Sequence, residues 1–197
     1  SGVSVGVGGP GGRVFGQGDG GGVSKMRGGG GGAAGAEPAK SFPAEIEEAA
    51  NAYFQKIYTS QLSIDDSIRL LSKCKNSSNP QEKEIFACMI HNLFDEYRFF
   101  HKYPEKELEI TGLLFGALIQ HQLVSYFPLG IALRYVLEAL RMPNTKMFKF
   151  GVLALRQFKS RLPEWPQYCS HIMQNEHIKQ LCPEIIEYVQ NAMRGGA

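Results

Sequence analysis

Proline recurs along this chain where helices should begin. Pro43, Pro80, Pro104, Pro128 and Pro143 each stand before a run of apolar residues spaced three and four apart, and Pro163 and Pro183 stand before shorter ones. Inside a helix a proline removes a backbone donor and crowds the preceding turn, but in the first turn that donor has no partner anyway. The spacing therefore predicts six to nine helices of about 12 to 18 residues, joined by short turns. No stretch shows the alternation of a half-buried strand. Short connections make neighbouring helices antiparallel. The expected fold class is all-α, a HEAT-like stack of antiparallel helical hairpins (an α-solenoid), with a compact bundle as the alternative.

Local signals sharpen some of these starts. Ser63, followed by Asp65 and Asp66, reads as an N-cap with acidic residues in the first turn. Asn79 reads as a cap, Pro80 as a first helical residue, and Glu82 stands three residues after the cap, as a capping box requires. The first helix carries Ile46, Ala50, Tyr53, Phe54, Ile57 and Tyr58 on its spacing, and the next helical pattern after the second helix runs through "NPQEKEIFACMIHNLFDEYRFF". Gly112 and Gly116 form a GxxxG pattern, which in a helix of this length reads as close packing against another helix.

Residues 1–40 differ in kind from 41–194. They hold 17 of the 23 glycines and too few large apolar residues to offset the entropy of ordering them, so a flexible tail or linker is expected there, ahead of one helical domain. "GVGGPG" at 6–11 satisfies GxGxxG, but no strand precedes it and no helix follows to receive a pyrophosphate. The segment also carries the whole formal excess of +2, leaving 17 basic and 17 acidic residues from Ser41 onward. A neutral domain lacks the footprint that phosphate-backbone binding leaves, so direct RNA binding by a helical domain is the weaker alternative, requiring a basic patch formed only in three dimensions. Arg13 and Arg27 offer two Arg-Gly pairs, sparse for RNA contacts.

Chemistry is scarce. The five histidines form no HExxH, and Cys169, His171, His177 and Cys182 are spaced so that the first two point to opposite sides of a helix. Core cysteines and surface histidines are the expectation, with no cofactor, no metal and no small-molecule substrate. Four cysteines without a CxxC pair or a leader pattern read as reduced thiols of an intracellular chain. "ITGLLFGALI" is about half the length needed to cross a bilayer, so no membrane span is expected.

The aromatic residues leave one matter open. Asn51, Phe54 and Tyr58 lie at i, i+3 and i+7, a single stripe that suits either the core or a partner. Leu93, Phe94, Tyr97, Phe100 and Tyr103 cannot share one stripe, because positions 97 to 100 turn through a full helical circle. Some of that aromatic surface should therefore stand near solvent or another chain.

"EPAKSFPAEIEEAANAYFQKIY", "NLFDEYRFFHKYP", "ELEITGLLFGALI", "LGIALRYVLEALR" and "YCSHI" resemble the central tristetraprolin-binding domain of the large Not scaffold subunit of the CCR-NOT deadenylase complex. The resemblance covers residues 37 to 190 and is weakest toward the C-terminus, and the turn "TSQLSID" is shorter than in vertebrate members. It implies a non-catalytic HEAT-like module that docks short basic-and-hydrophobic motifs of RNA-binding proteins such as tristetraprolin. The partners implied are those motifs directly, other CCR-NOT subunits through the rest of the full-length chain, and mRNA indirectly. The outcome would be deadenylation, decay and translational repression, in the cytoplasm, in P-bodies and in part in the nucleus. Carried over by position, the motif lies between the first and third helices against Asn51, Phe54, Tyr58, Glu96 and Tyr103. On that reading these residues line an open groove while Tyr53 and Ile57 face inward in part.

Overall fold

The computed structural model describes residues 41–195. The Gly-rich segment, with its GVGGPG stretch and Arg-Gly pairs, lies outside the described residues. Nine α-helices and two 3-10 helices are present among them: α1 (Ala44–Tyr58), α2 (Ile64–Asn76), α3 (Pro80–Asp95), a 3-10 helix (Glu96–Lys102), α4 (Glu105–Gln120), α5 (Tyr126–Leu140), α6 (Lys146–Phe158), a second 3-10 helix (Lys159–Glu164), α7 (Pro166–Met173), α8 (Glu176–Leu181) and α9 (Pro183–Gly195). No strand occurs among the described residues. α1 and α2 lie against α3, α2 also reaches α4, and α4 packs most extensively on α6, which α5 covers in turn. α9 closes the C-terminal end over α7, α8 and the second 3-10 helix. The fold is the all-α solenoid that the helical pattern implied.

The start signals hold in part. Ser63 Oγ accepts from Asp66 N at 3.0 Å, and Asn79 Oδ1 accepts from Gln81 N at 2.9 Å. The capping box at Asn79 does not close in the expected way, because the Asn79 N–H donates to Ser77 Oγ at 3.0 Å. Pro128 sits in the first turn of a helix that already starts at Tyr126, and Pro143 lies in the turn before Lys146. Pro163 lies within the second 3-10 helix rather than opening an α-helix, and Pro166 opens α7.

α4 is buried almost all round in its C-terminal half, as a central helix must be. Its two glycines explain how α6 comes so close. A Cβ on Gly116 would stand 2.3 Å from the Ala154 carbonyl oxygen, and one on Gly112 would stand 3.1 Å from that of Phe150. The GxxxG pattern thus serves helix-on-helix packing. Around it lies an aromatic cluster in which Phe115 of α4 stands 5.3 Å from Phe94, 5.6 Å from Phe150, and 6.4 Å from both Phe100 and Tyr135. Tyr97 and Tyr135 stack at 3.8 Å, nearly parallel.

All four cysteines are free and buried, and burial pushes every thiol up, Cys88 to about 11. No helix among the described residues is long and apolar enough to cross a membrane.

Three tyrosines carry a pH dependence. Burial is the main cause that raises the phenol pKa of Tyr58, Tyr97 and Tyr168, and the Glu138 carboxylate raises that of Tyr97 further. A folded-state pKa above the unfolded value of about 10 favours folding in full below that pH and loses the contribution as pH rises beyond it. Alkaline titration of phenolate absorbance should therefore show the Tyr58, Tyr97 and Tyr168 share of the eight tyrosines appearing only as the helical circular dichroism is lost. Eight phenols titrating together with the helices intact would contradict this.

Candidate functional site

α1 forms because acidic Glu45 and Glu47 occupy its first turn and Lys56 its last, complementing the helix dipole, while Ile46, Ala50, Phe54, Ile57 and Tyr58 are buried along one face. That face meets α3. Asn51 lies at the edge of the stripe and is half-buried, yet its Oδ1 is shielded from solvent and accepts no hydrogen bond among the described residues. A buried acceptor without a donor costs about 1 to 3 kcal/mol, so it marks a place where a donor would be welcome.

Phe54 and Tyr58 are paired, their ring centroids 6.3 Å apart and the planes within 25° of parallel. The Tyr58 hydroxyl is anchored in α4. Thr111 Oγ1 spends its one proton on the Glu107 carbonyl at 2.7 Å, so the 2.7 Å contact between Tyr58 and Thr111 has the phenol as donor. Glu96 opens the first 3-10 helix, near enough for its charge to raise the Tyr58 pKa, after burial as the main cause. Tyr103 ends that 3-10 helix. Its ring lies 5.2 Å from Phe100 and its carbonyl accepts from Lys146 Nζ.

The five expected residues thus fall on α1 and on the segment that leaves α3, and Phe54, Tyr58 and Tyr103 join one hydrophobic cluster. Their exposure differs from the expectation. Phe54 and Tyr58 are 1% and 6% exposed and Tyr103 is 3% exposed, so the rings are buried rather than open. The reason is periodicity: Phe54 and Tyr58 continue the row of Ile46 and Ala50 at intervals of four, the face α1 turns inward. Tyr53 is half-buried, in keeping with a residue facing inward in part, and Ile57 is fully buried.

Two features lay outside the sequence reading. A cavity of about 450 Å³ opens between α3 and α5, lined by Phe86, Ile90, Phe94, Pro128, Ile131 and Tyr135. At the start of α5, Tyr126 and Phe127 are 94% and 76% exposed. Its signal was present in "EIFACMIHNLF", which is apolar on two faces of α3 rather than one. A second, more polar cavity of about 350 Å³ lies where α5, α7 and α8 meet. Cys169 and Cys182 are buried while His171 and His177 are exposed, and no metal-binding group of three or more His, Cys, Asp or Glu occurs among the described residues.

Comparison with known proteins adds an independent line. The family model of the CCR4-NOT transcription complex subunit 1 TTP binding domain matches residues 25–197. The chain is 44% identical over 151 residues to the General negative regulator of transcription subunit 1 of Schizosaccharomyces pombe, covering 76% of this chain and 7% of that protein. It is 36% identical over 158 residues to the CCR4-NOT transcription complex subunit let-711 of Caenorhabditis elegans, covering 79% of this chain and 6% of the relative. Among solved structures, the N-terminal domain of the yeast Not1 is similar with a TM-score of 0.73 at 34% identity, over 77% of this chain and 29% of that one. The chain therefore spans less than a tenth of the length of the curated relatives it matches.

Proposed function

Because this chain belongs to the family of the CCR4-NOT transcription complex subunit 1 TTP-binding domain, we propose that it is a non-catalytic docking module of that scaffold. It receives short basic-and-hydrophobic motifs of tristetraprolin-like RNA-binding proteins between α1 and α3, and so brings the complex to mRNAs for deadenylation, decay and translational repression. The rest of the full-length protein would engage the other subunits, in the cytoplasm, in P-bodies and in part in the nucleus.

The observation that carries this reading is the orphaned Asn51 Oδ1, one turn along α1 from the Phe54–Tyr58 pair, whose phenol feels the charge of Glu96. An incoming backbone N–H would satisfy the amide oxygen, an Arg or Lys would meet Glu96, and Leu, Ile or Phe would seek the aromatic rings. With the rings buried in the unliganded chain, docking entails side-chain rearrangement, and the affinity carries that cost.

Fluorescence anisotropy with a labelled tristetraprolin C-terminal peptide tests the reading against Asn51→Ala. The variant removes an unsatisfied buried acceptor, so its melting temperature should hold or rise, while peptide affinity falls by about 1 kcal/mol, close to fivefold. A folded wild type that does not bind, or an Asn51→Ala protein that binds equally well, refutes it. Steeply salt-dependent binding of RNA by the same protein would favour the nucleic-acid alternative.

A further inference from the structure

The cavity where α5, α7 and α8 meet gathers cationic and donor side chains from three elements. Arg141 stands at the C-terminal cap of α5, His171 in the last turn of α7, and His177 in α8, with Gln174 between the helices and Leu137 as the apolar wall. A cation near a helix C-terminus complements the dipole, and a donor there can bond the last carbonyls, which is reason enough for Arg141 and His171 to stand where they do. It does not explain why they share a cavity of about 350 Å³ with a third donor.

On the wall itself Arg141 and Glu176 balance, and Lys179 beside it tips the surroundings to a positive surplus. Glu176 is the acidic residue on the wall, and it is engaged by Lys179 at 3.0 Å. Arg141 forms no ion pair among the described residues, so its guanidinium fork is available. The turn that holds these groups is pinned from within: Asn175 Oδ1 accepts from Ile178 N at 3.0 Å, and Asn175 Nδ2 donates to the Leu140 carbonyl at 3.0 Å. An uncommitted fork that shares its cavity with two imidazoles, each able to donate one N–H when neutral, matches the three acceptor oxygens of a phosphate monoester.

We propose that this cavity binds the phosphorylated serine or threonine side chain of a protein segment, with Arg141 as the principal contact and His171 and His177 as flanking donors. A polynucleotide is the poorer fit, because a chain of phosphates calls for many cations and the domain from Ser41 onward is balanced at 17 basic and 17 acidic residues. The cavity is also larger than a bare phosphate, and Leu137 offers the carrying residue an apolar surface. The site is separate from the α1–α3 groove, so it stands or falls independently of the proposed function.

The test is an NMR titration that follows the imidazole signals of the whole protein with three probes: a capped phosphoserine tripeptide, its unphosphorylated twin and inorganic phosphate. Saturable shifts of His171 and His177 at millimolar phosphopeptide, absent with the twin and weaker with inorganic phosphate, are expected. Arg141→Gln, on an exposed residue, should lower the melting temperature by no more than the few degrees that a lost helix-dipole contact costs, and weaken binding about tenfold, the usual size of a lost charge-assisted bond. Three results overturn the proposal: no shift of either histidine, equal affinity in Arg141→Gln, or equal or tighter binding of inorganic phosphate, which would mark an adventitious ion only.

Discussion

Gly116→Ala should destabilise the domain by about 3 kcal/mol or more, although alanine is the better helix former by about 1 kcal/mol. The new methyl would stand 2.3 Å from the Ala154 carbonyl oxygen, 2.7 Å from Ala154 Cα and 2.8 Å from Gln157 Cβ. Two of those three atoms are backbone, so no rotamer change relieves the contact and α4 must move away from α6. That contact is the most extensive between helices in the fold, and retreat would loosen the packing along it. Gly112→Ala provides the comparison. Its nearest contact is 3.1 Å, from the Phe150 carbonyl oxygen, so a shift of a few tenths of an ångström suffices and the propensity gain offsets much of the cost. Urea unfolding of both variants, read at constant m, should rank Gly116→Ala far below Gly112→Ala. Equal midpoints would mean that the helices are not held as closely as described.

Phe115→Ala should lose about 3 to 5 kcal/mol, the range for a large aromatic removed from a packed interior. Phe115 is fully buried, and the rings around it come from α3, the first 3-10 helix, α5 and α6. The loss therefore falls on several elements at once, and a cavity bounded by so many separate pieces has little chance to collapse. Phe127→Ser serves as the control. At 76% exposure it gives up little apolar burial, so its stability should remain near that of the wild type. Denaturation midpoints for the two variants check the pair, and comparable losses in both would disprove the assignment of Phe115 as the hub.

Much of the helical order was legible, and the reasons for the misses are physical. A proline fixes a helix start only to within a turn, since it is tolerated anywhere in the first turn and in the connection before it. That is why Pro80 and Pro183 open helices at the expected residue, while Pro128 and Pro143 lie on either side of the true starts. The end of α3 was not legible for another reason. Phe100 and Tyr103 are both buried, and tightening into a 3-10 helix after Asp95 is how the segment turns both rings inward. Side-chain spacing alone does not announce that change. For the candidate site, Asn51, Phe54 and Tyr58 stood out by periodicity, but a stripe of that kind suits core and groove alike, and their degree of burial became visible only with α3 and α4 in place. His171 and His177 are near neighbours in the chain, but Arg141 lies about 30 residues before them, so no local pattern could have joined it to them in one cavity.

The α4–α6 contact has a consequence for what happens when the backbone is cut. The turn between α5 and α6 carries exposed Arg141, Met142, Asn144 and Thr145, which makes it an accessible place for a protease such as trypsin. Yet the pieces on either side, one ending with α5 and the other beginning with α6, share the closest helix-to-helix surface in the domain, sealed by Gly116 against Ala154 and by Gly151 against Leu140. A nick at that turn would divide the polypeptide without dividing the fold. The two fragments would remain a non-covalent complex, and separately produced halves could reassemble as a split protein.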